Sequence, residues 1–186
     1  MAEAATGTRV DMVQTRFFSR AGVWALSAAI LAAAAGIARA EEPKFVEEFN
    51  DWAVYTYKAG GGQVCFIVSE PKESEPKGAK RDKIFFLVQH RPKDGVKSEV
   101  STIIGYPFKQ GSTSTVTIDG NEYQLYTNGD GAWAESGDLD RKIVDAMKNG
   151  KAMSVSGTSW RGTNTRDRYS LSGVTAAMQK IDSMCN

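Results

Sequence analysis

Between residues 45 and 125, apolar and polar positions alternate with a period of two, the spacing of strands that bury one face. Trp52, Val54 and Thr56 share one face, and Ala53, Tyr55 and Tyr57 share the other. Gly60-Gly61-Gly62 separates this run from the β-branched and aromatic stretch 64–69, which predicts a hairpin. Residues 84–89 form a short apolar strand, and residues 99–104 alternate again. The run 115–118 passes through Asp119-Gly120-Asn121, a tight-turn signal, into residues 123–126. Residues 132–135, 153–159 and 168–171 complete the expected strands.

Two segments change to helical spacing. Leu139, Ile143 and Met147 recur every four residues, with Asp138 as the expected N-cap and Asn149-Gly150 as the stop. Near the carboxy terminus, Val174, Ala177, Met178, Ile181 and Cys185 make one apolar stripe, capped by Ser172 or Gly173. Both stripes are read as packing against a sheet and not as cofactor positions. Short strands separated by turn signals favour a mostly β domain of two packed antiparallel sheets, with a short crossing helix and a C-terminal helix.

The chain begins differently. Arg16 and Arg20 precede an apolar run, residues 21–38, that ends in Ala38-Arg39-Ala40, the order of a secretory signal with cleavage after Ala40. A transmembrane anchor needs about as many residues, but an Ala- and Gly-rich run has a low transfer energy for its length. The expected organisation is therefore a signal over residues 1–40 and one domain over residues 41–186, released into the periplasm or secreted without stable membrane insertion. Translation starts at Met1 or Met12, the second giving the more usual signal length.

Charge removes several classes of function. The chain carries 23 basic and 22 acidic residues; setting aside those of the first forty positions leaves 19 and 20, so no basic excess draws the domain onto nucleic acid. Residues 71–83 form a polar insertion with a small local excess of lysine and arginine, expected as a solvated, mobile loop. The only histidine, His90, has no Gly-x-Ser-x-Gly elbow to serve, and one His with two distant Cys makes no zinc site. His90 is read as structural. Glu135, Asp138 and Asp140 crowd near Asp130, but their spacing is not that of a calcium loop, and an acid-rich helix entry explains them. Neither cofactor nor metal is expected. Trp52, Trp133 and Trp160 fall within expected strands, where packing is the ordinary role; with Tyr55 and Tyr57, Trp133 and Trp160 are the candidates for an exposed binding surface.

Several motifs in order carry a resemblance: Asp51-Trp52-x-Val54; Cys65 in the next strand, then Ser69-Glu70-Pro71; Gly105-Tyr106-Pro107; Val116-x-Ile118-Asp119-Gly120; Ala132-Trp133-Ala134; and Tyr169-Ser170-Leu171-Ser172-Gly173 with Ala176-Ala177. Together they resemble the invasion-associated locus B family of exported bacterial proteins, over essentially the whole chain after the leader. The resemblance implies an immunoglobulin-like β-sandwich, an envelope location and a link to host-cell entry. It brings no catalytic residues. Members of the family often carry cysteines in the first strand and near Ala132-Trp133, where this chain has Tyr55 or Tyr57 and residues 128–131.

These readings lead to a non-enzymatic envelope protein that binds a protein or a cell-envelope component. The competing readings are a hydrolase using Glu135 and Asp138 with His90, and a purely structural envelope protein. Cys65 and Cys185 lie on apolar faces of exported elements with no third cysteine beside them after residue 40, so they are expected to form a disulfide rather than two buried thiols. Closing a loop of about 120 residues removes about 5 kcal/mol of unfolded-chain entropy on the simple model.

Overall fold

A computed structural model describes residues 41–185. The leader and its cleavage after Ala40 lie outside the described residues. The strands are β1 (Lys44–Phe49), β2 (Trp52–Ala59), β3 (Gly62–Ser69), β4 (Glu73–Glu75), β5 (Phe85–Arg91), β6 (Val96–Ile103), β7 (Thr113–Ile118), β8 (Asn121–Asn128), β9 (Gly131–Trp133), β10 (Ala152–Thr158) and β11 (Asn164–Ser170), with helices α1 (Gly137–Asn149) and α2 (Val174–Met184). All strand pairs are antiparallel, in the order β1-β2-β3-β5-β6-β9-β8-β7-β10-β11-β4.

This mostly β architecture folds into two facing layers, but the layers are not separate sheets. The short β9 pairs with both β6 and β8 and makes one continuous ladder out of the two halves. The ladder doubles back on itself. Phe86 of β5 meets Tyr169 of β11 with ring centroids 5.8 Å apart, and the Trp52 indole N–H donates to the Ser170 carbonyl at 3.0 Å. Between the halves lies the core that the alternation requires: Trp52 and Val54, Cys65 and Ile67, Phe86 and Val88, Val116 and Ile118, and Met153 and Val155 all point inward. Helices α1 and α2 close this interior with Ile143, Val144, Met147, Ala177, Met178 and Ile181.

The helix ends depart in one detail from the sequence reading. Ser136, not Asp138, caps α1: its backbone is extended and its hydroxyl accepts the Leu139 N–H at 3.3 Å. Asp138 lies inside the first turn, where it faces the positive helix end and pairs with Arg141. Gly173 does cap α2, at φ 93°, and a Cβ there would sit 1.8 Å from the Phe49 carbonyl oxygen, so no other residue fits.

The insertion at 71–83 is exposed along most of its length, yet it is anchored at two points, which corrects the expectation of a mobile loop. Glu73–Glu75 forms the edge strand β4 against β11, with Arg168 bridging Glu73 and Glu75 at 3.0 Å each. Further on, the Arg81 side chain, 6% exposed, makes a two-pronged pair with the fully buried Asp167 at 2.7 and 2.6 Å and donates to the Ile104 carbonyl.

Candidate functional site

Alternation gives each strand an inward and an outward row, and the outward rows of the two halves differ in chemistry. On β7, β10 and β11 the outward residues are polar: Thr113, Thr115 and Thr117; Ser154, Ser156 and Thr158; Asn164, Arg166 and Arg168. On the other half they are aromatic and aliphatic. Register carries one such row across six strands, Ala53 to Val68 to Leu87 to Ser101 to Trp133 to Tyr126. A second row runs from Phe45 through Tyr55 to Phe66 and Gln89, and Phe85 lies opposite Ile103.

The aromatic rings of this face hold one another in place. Tyr55 stacks on Phe66 at 5.4 Å, Phe45 and Tyr57 meet these rings edge-on, and Tyr126 stacks on Trp133 at 5.9 Å. Phe45 is 59% and Tyr126 51% exposed, while Tyr55, Phe66, Leu87 and Trp133 are half-buried by their neighbours in the sheet. Among the described residues, no helix packs on this side, because α1 and α2 both contribute to the interior. Charge enters at the margins: Glu48 of β1 stands opposite Ala53, with the Lys72–Asp51 pair beside it, and at the other side Arg91 meets Glu99. There Glu99 receives Arg91 at 2.9 and 2.7 Å and Gln89 at 2.8 Å, and the Arg91 hydrogen bonds hold its carboxyl below the usual range.

Three of the four aromatic residues singled out from the sequence, Tyr55, Tyr57 and Trp133, therefore share one face. Trp160 does not join them. It stands at the mouth of a cleft of about 800 Å³ formed by residues 76–82, 105–107 and 159–165. Phe45, Phe66, Leu87 and Tyr126 belong to the face but were not selected from the sequence. Phe66 and Leu87 lie in the continuous apolar runs 64–69 and 84–89, where no polar phase separates the inward from the outward row; no sequence signal places Tyr126 beside Trp133, which is a matter of register.

His90 is not brought together with Glu135 and Asp138, the acids that the hydrolase alternative grouped with it. It lies on the inward row of β5, 1% exposed, with Nδ1 accepting the Ser98 N–H at 3.0 Å and Nε2 facing Asp182 of α2 at 3.0 Å. Both ring nitrogens are thereby occupied, and the acceptor role of Nδ1 places the proton on Nε2. Its partners are Ser98 and Asp182, not Glu135 or Asp138, which are exposed around the entry to α1. Asp140, one turn into α1, points inward and accepts the Val100 N–H at 2.8 Å; burial pushes its carboxyl up to about 6. No group of three potential metal ligands exists among the described residues. Cys65 of β3 and Cys185 at the end of α2 form the expected disulfide, their Cα atoms 6.0 Å apart.

These observations define a class: an all-antiparallel β protein closed by two helices, with a broad apolar outer face and its one histidine locked in the core. The family model for invasion associated locus B (IalB) protein matches residues 52–182, and the chain belongs to that family. A solved structure, invasion associated protein B from Bartonella henselae, is similar in fold; it is 14% identical with a TM-score of 0.54, covering 74% of this chain and 95% of that one. Among curated proteins no relative matches. No helix of the described residues is long and apolar enough to cross a membrane.

Proposed function

We propose that this protein is a non-catalytic component of the bacterial envelope, exported by its leader, that works by docking the outer face of β1, β2, β3, β5, β6 and β9 onto an apolar surface of another envelope protein. The single observation carrying this reading is the contrast between the two outer faces. One is Thr, Ser, Asn and Arg, as a water-facing sheet should be, and the other is mainly Phe, Tyr, Trp, Leu, Val and Ile, with Ser101 and Gln89 set among them and Glu48 at its edge.

Dimensions and chemistry favour a protein as the occupant. Six strands at a spacing of about 4.8 Å span about 24 Å, the width of a standard protein interface of about 800 Å² per partner. Aliphatic residues mixed with Tyr, Phe and Trp resemble an interface core, and Arg91 with Glu99 resembles its polar rim. Anionic lipid would want free cations among these rows, which the rows do not contain. A link to invasion, the association named for the similar Bartonella henselae protein, would act through the same docking.

Site-specific photo-crosslinking in living cells tests this. A crosslinker at Leu87 should give one discrete adduct heavier than twice the chain's mass or lighter than it by a defined amount, and a crosslinker at Thr115 should not. The adduct should vanish when Phe66→Ser is added. An adduct from Thr115 alone would overturn the proposal, and one of twice the chain's mass would make the face a self-interface instead.

A further inference from the structure

The cleft at Trp160 is chemically unlike the docking face. Its floor is built and fixed: Arg81 is tied to Asp167 and Ile104, its guanidinium lies 5.0 Å over the Tyr106 ring, and the Tyr106 hydroxyl shares a 2.6 Å hydrogen bond with Thr165. Gly105 lets the wall close, because its φ is +77° and a Cβ would sit 2.5 Å from the Asp82 carbonyl oxygen. The Asp82 N–H in turn donates to the Gly105 carbonyl at 2.9 Å.

What projects around this floor is cationic and aromatic. Lys77 and Lys80 stand on one wall, and Trp160 and Arg161 on the other, against a single acid, Asp82. Among the described residues, Lys77, Lys80 and Arg161 have no carboxylate within 4.0 Å; other surface cations such as Lys109 and Lys148 share that state, and what sets these three apart is that they converge on one cleft. The Arg161 guanidinium lies 4.7 Å over the Trp160 ring, which is nonetheless 59% exposed. A cluster of uncompensated cations in a domain with no net basic excess marks a place for negative charge.

We infer that this cleft binds an acidic oligosaccharide, with Trp160 stacking on the C–H face of a pyranose ring and Lys77, Lys80 and Arg161 receiving its carboxylates. The exposed Thr163 hydroxyl beside Trp160 suits a sugar hydroxyl, and the buried Ser159 hydroxyl holds its loop by accepting the Thr163 N–H at 3.1 Å. Cations alone would serve any anion. An exposed indole placed among them is what selects a ring with an apolar face, and a groove about 800 Å³ in volume has room for two or three sugar units and not for a folded protein.

The test is calorimetric titration of the protein with tetragalacturonate, sialyllactose, chitotetraose, inorganic phosphate and an oligothymidylate of eight residues. Tetragalacturonate, sialyllactose or both should bind; the first points to a uronate of an envelope polysaccharide and the second to a sialate of an animal-cell surface. Chitotetraose should bind at least tenfold more weakly. Trp160→Ala, and separately the triple variant Lys77→Ala/Lys80→Ala/Arg161→Ala, should each weaken binding at least tenfold while the melting temperature stays within a few degrees. All these side chains are exposed, so folding should survive their loss. Equal binding of phosphate or the oligothymidylate, insensitivity to Trp160→Ala, or no binding of either acidic sugar would each overturn the inference. None of these outcomes bears on docking at the opposite chemistry of the sheet face.

Discussion

Asp140 shows how one residue's surroundings write themselves into stability. Its carboxylate is buried at the start of α1 and accepts a single backbone N–H, so loss of water outweighs that hydrogen bond and the folded protein holds a proton up to about pH 6. A carboxyl raised in the folded state binds more protons there than in the unfolded chain. Its contribution is therefore favourable at low pH and is lost as pH rises from its ordinary value towards 6, at about 1.4 kcal/mol per pH unit. Asp140→Asn keeps an oxygen to accept the Val100 N–H but has no charge to bury. Denaturant titrations at pH 4 and pH 7 should show the variant gaining about 2 to 3 kcal/mol on the parent between the two conditions. Parallel pH profiles would show that the carboxyl is not desolvated as described. His90 carries a structural load of another kind: His90→Ala would strip the Ser98 N–H of its buried acceptor and should cost about 2–4 kcal/mol in the same experiment.

At the scale of elements, two long-range ties decide what holds the edges of the fold. Helix α2 is fixed by the Cys65–Cys185 bridge, by Asp182 on His90 and by Lys180 on Glu47. Replacing both cysteines with serine should lower stability by about 2–5 kcal/mol. Hydrogen exchange should then show the last turn of α2 losing protection first; protection unchanged there would mean the bridge is redundant with the packing of Met178 and Ile181. The second tie is Arg81 with Asp167, a buried pair from which either partner alone would leave an uncompensated charge. Arg81→Met should cost about 3–5 kcal/mol, and Arg81→Met/Asp167→Leu together should recover much of that loss in thermal melts. A double variant as unstable as the sum of the singles would contradict this.

These same elements show what a sequence can and cannot disclose. Alternation marked both rows of β2 correctly, because burial of one face imposes it residue by residue, and the stripes of α1 and α2 followed for the same reason; β3, apolar on both faces, showed only that it is a strand. The edge strand β4 escaped notice because Glu-Ser-Glu has no apolar phase; backbone pairing and Arg168 hold it. Arg81 looked like one more loop cation, since its partner is 86 positions away. The docking face was half legible. Tyr55 and Tyr57 could be assigned a common side, but their union with Leu87, Trp133 and Tyr126 depends on which strands are neighbours, and β5 follows β3 in the sheet only because β4 is sent to the far edge.

The described domain presents two dissimilar outsides around one core. The sheet turns back on itself, so the half of the ladder from β7 to β11 presents a polar exterior, whereas the half from β1 to β9, with Tyr126 of β8 at its border, presents a mainly apolar one. A domain with no bound partner has no reason to leave aromatic and aliphatic side chains on five of the six strands of one row, since each exposed apolar surface is a hazard for aggregation. The most direct test is to measure the affinity of the crosslinked partner for two variants of equal stability. Tyr55→Ser/Phe66→Ser/Tyr126→Ser should bind it at least a hundredfold more weakly than the parent, and Thr115→Ala/Ser156→Ala/Arg166→Ala should bind it within threefold of the parent. The reverse pattern, or an undiminished affinity in the first variant, would contradict the assignment of the apolar outer face as the working surface of this protein.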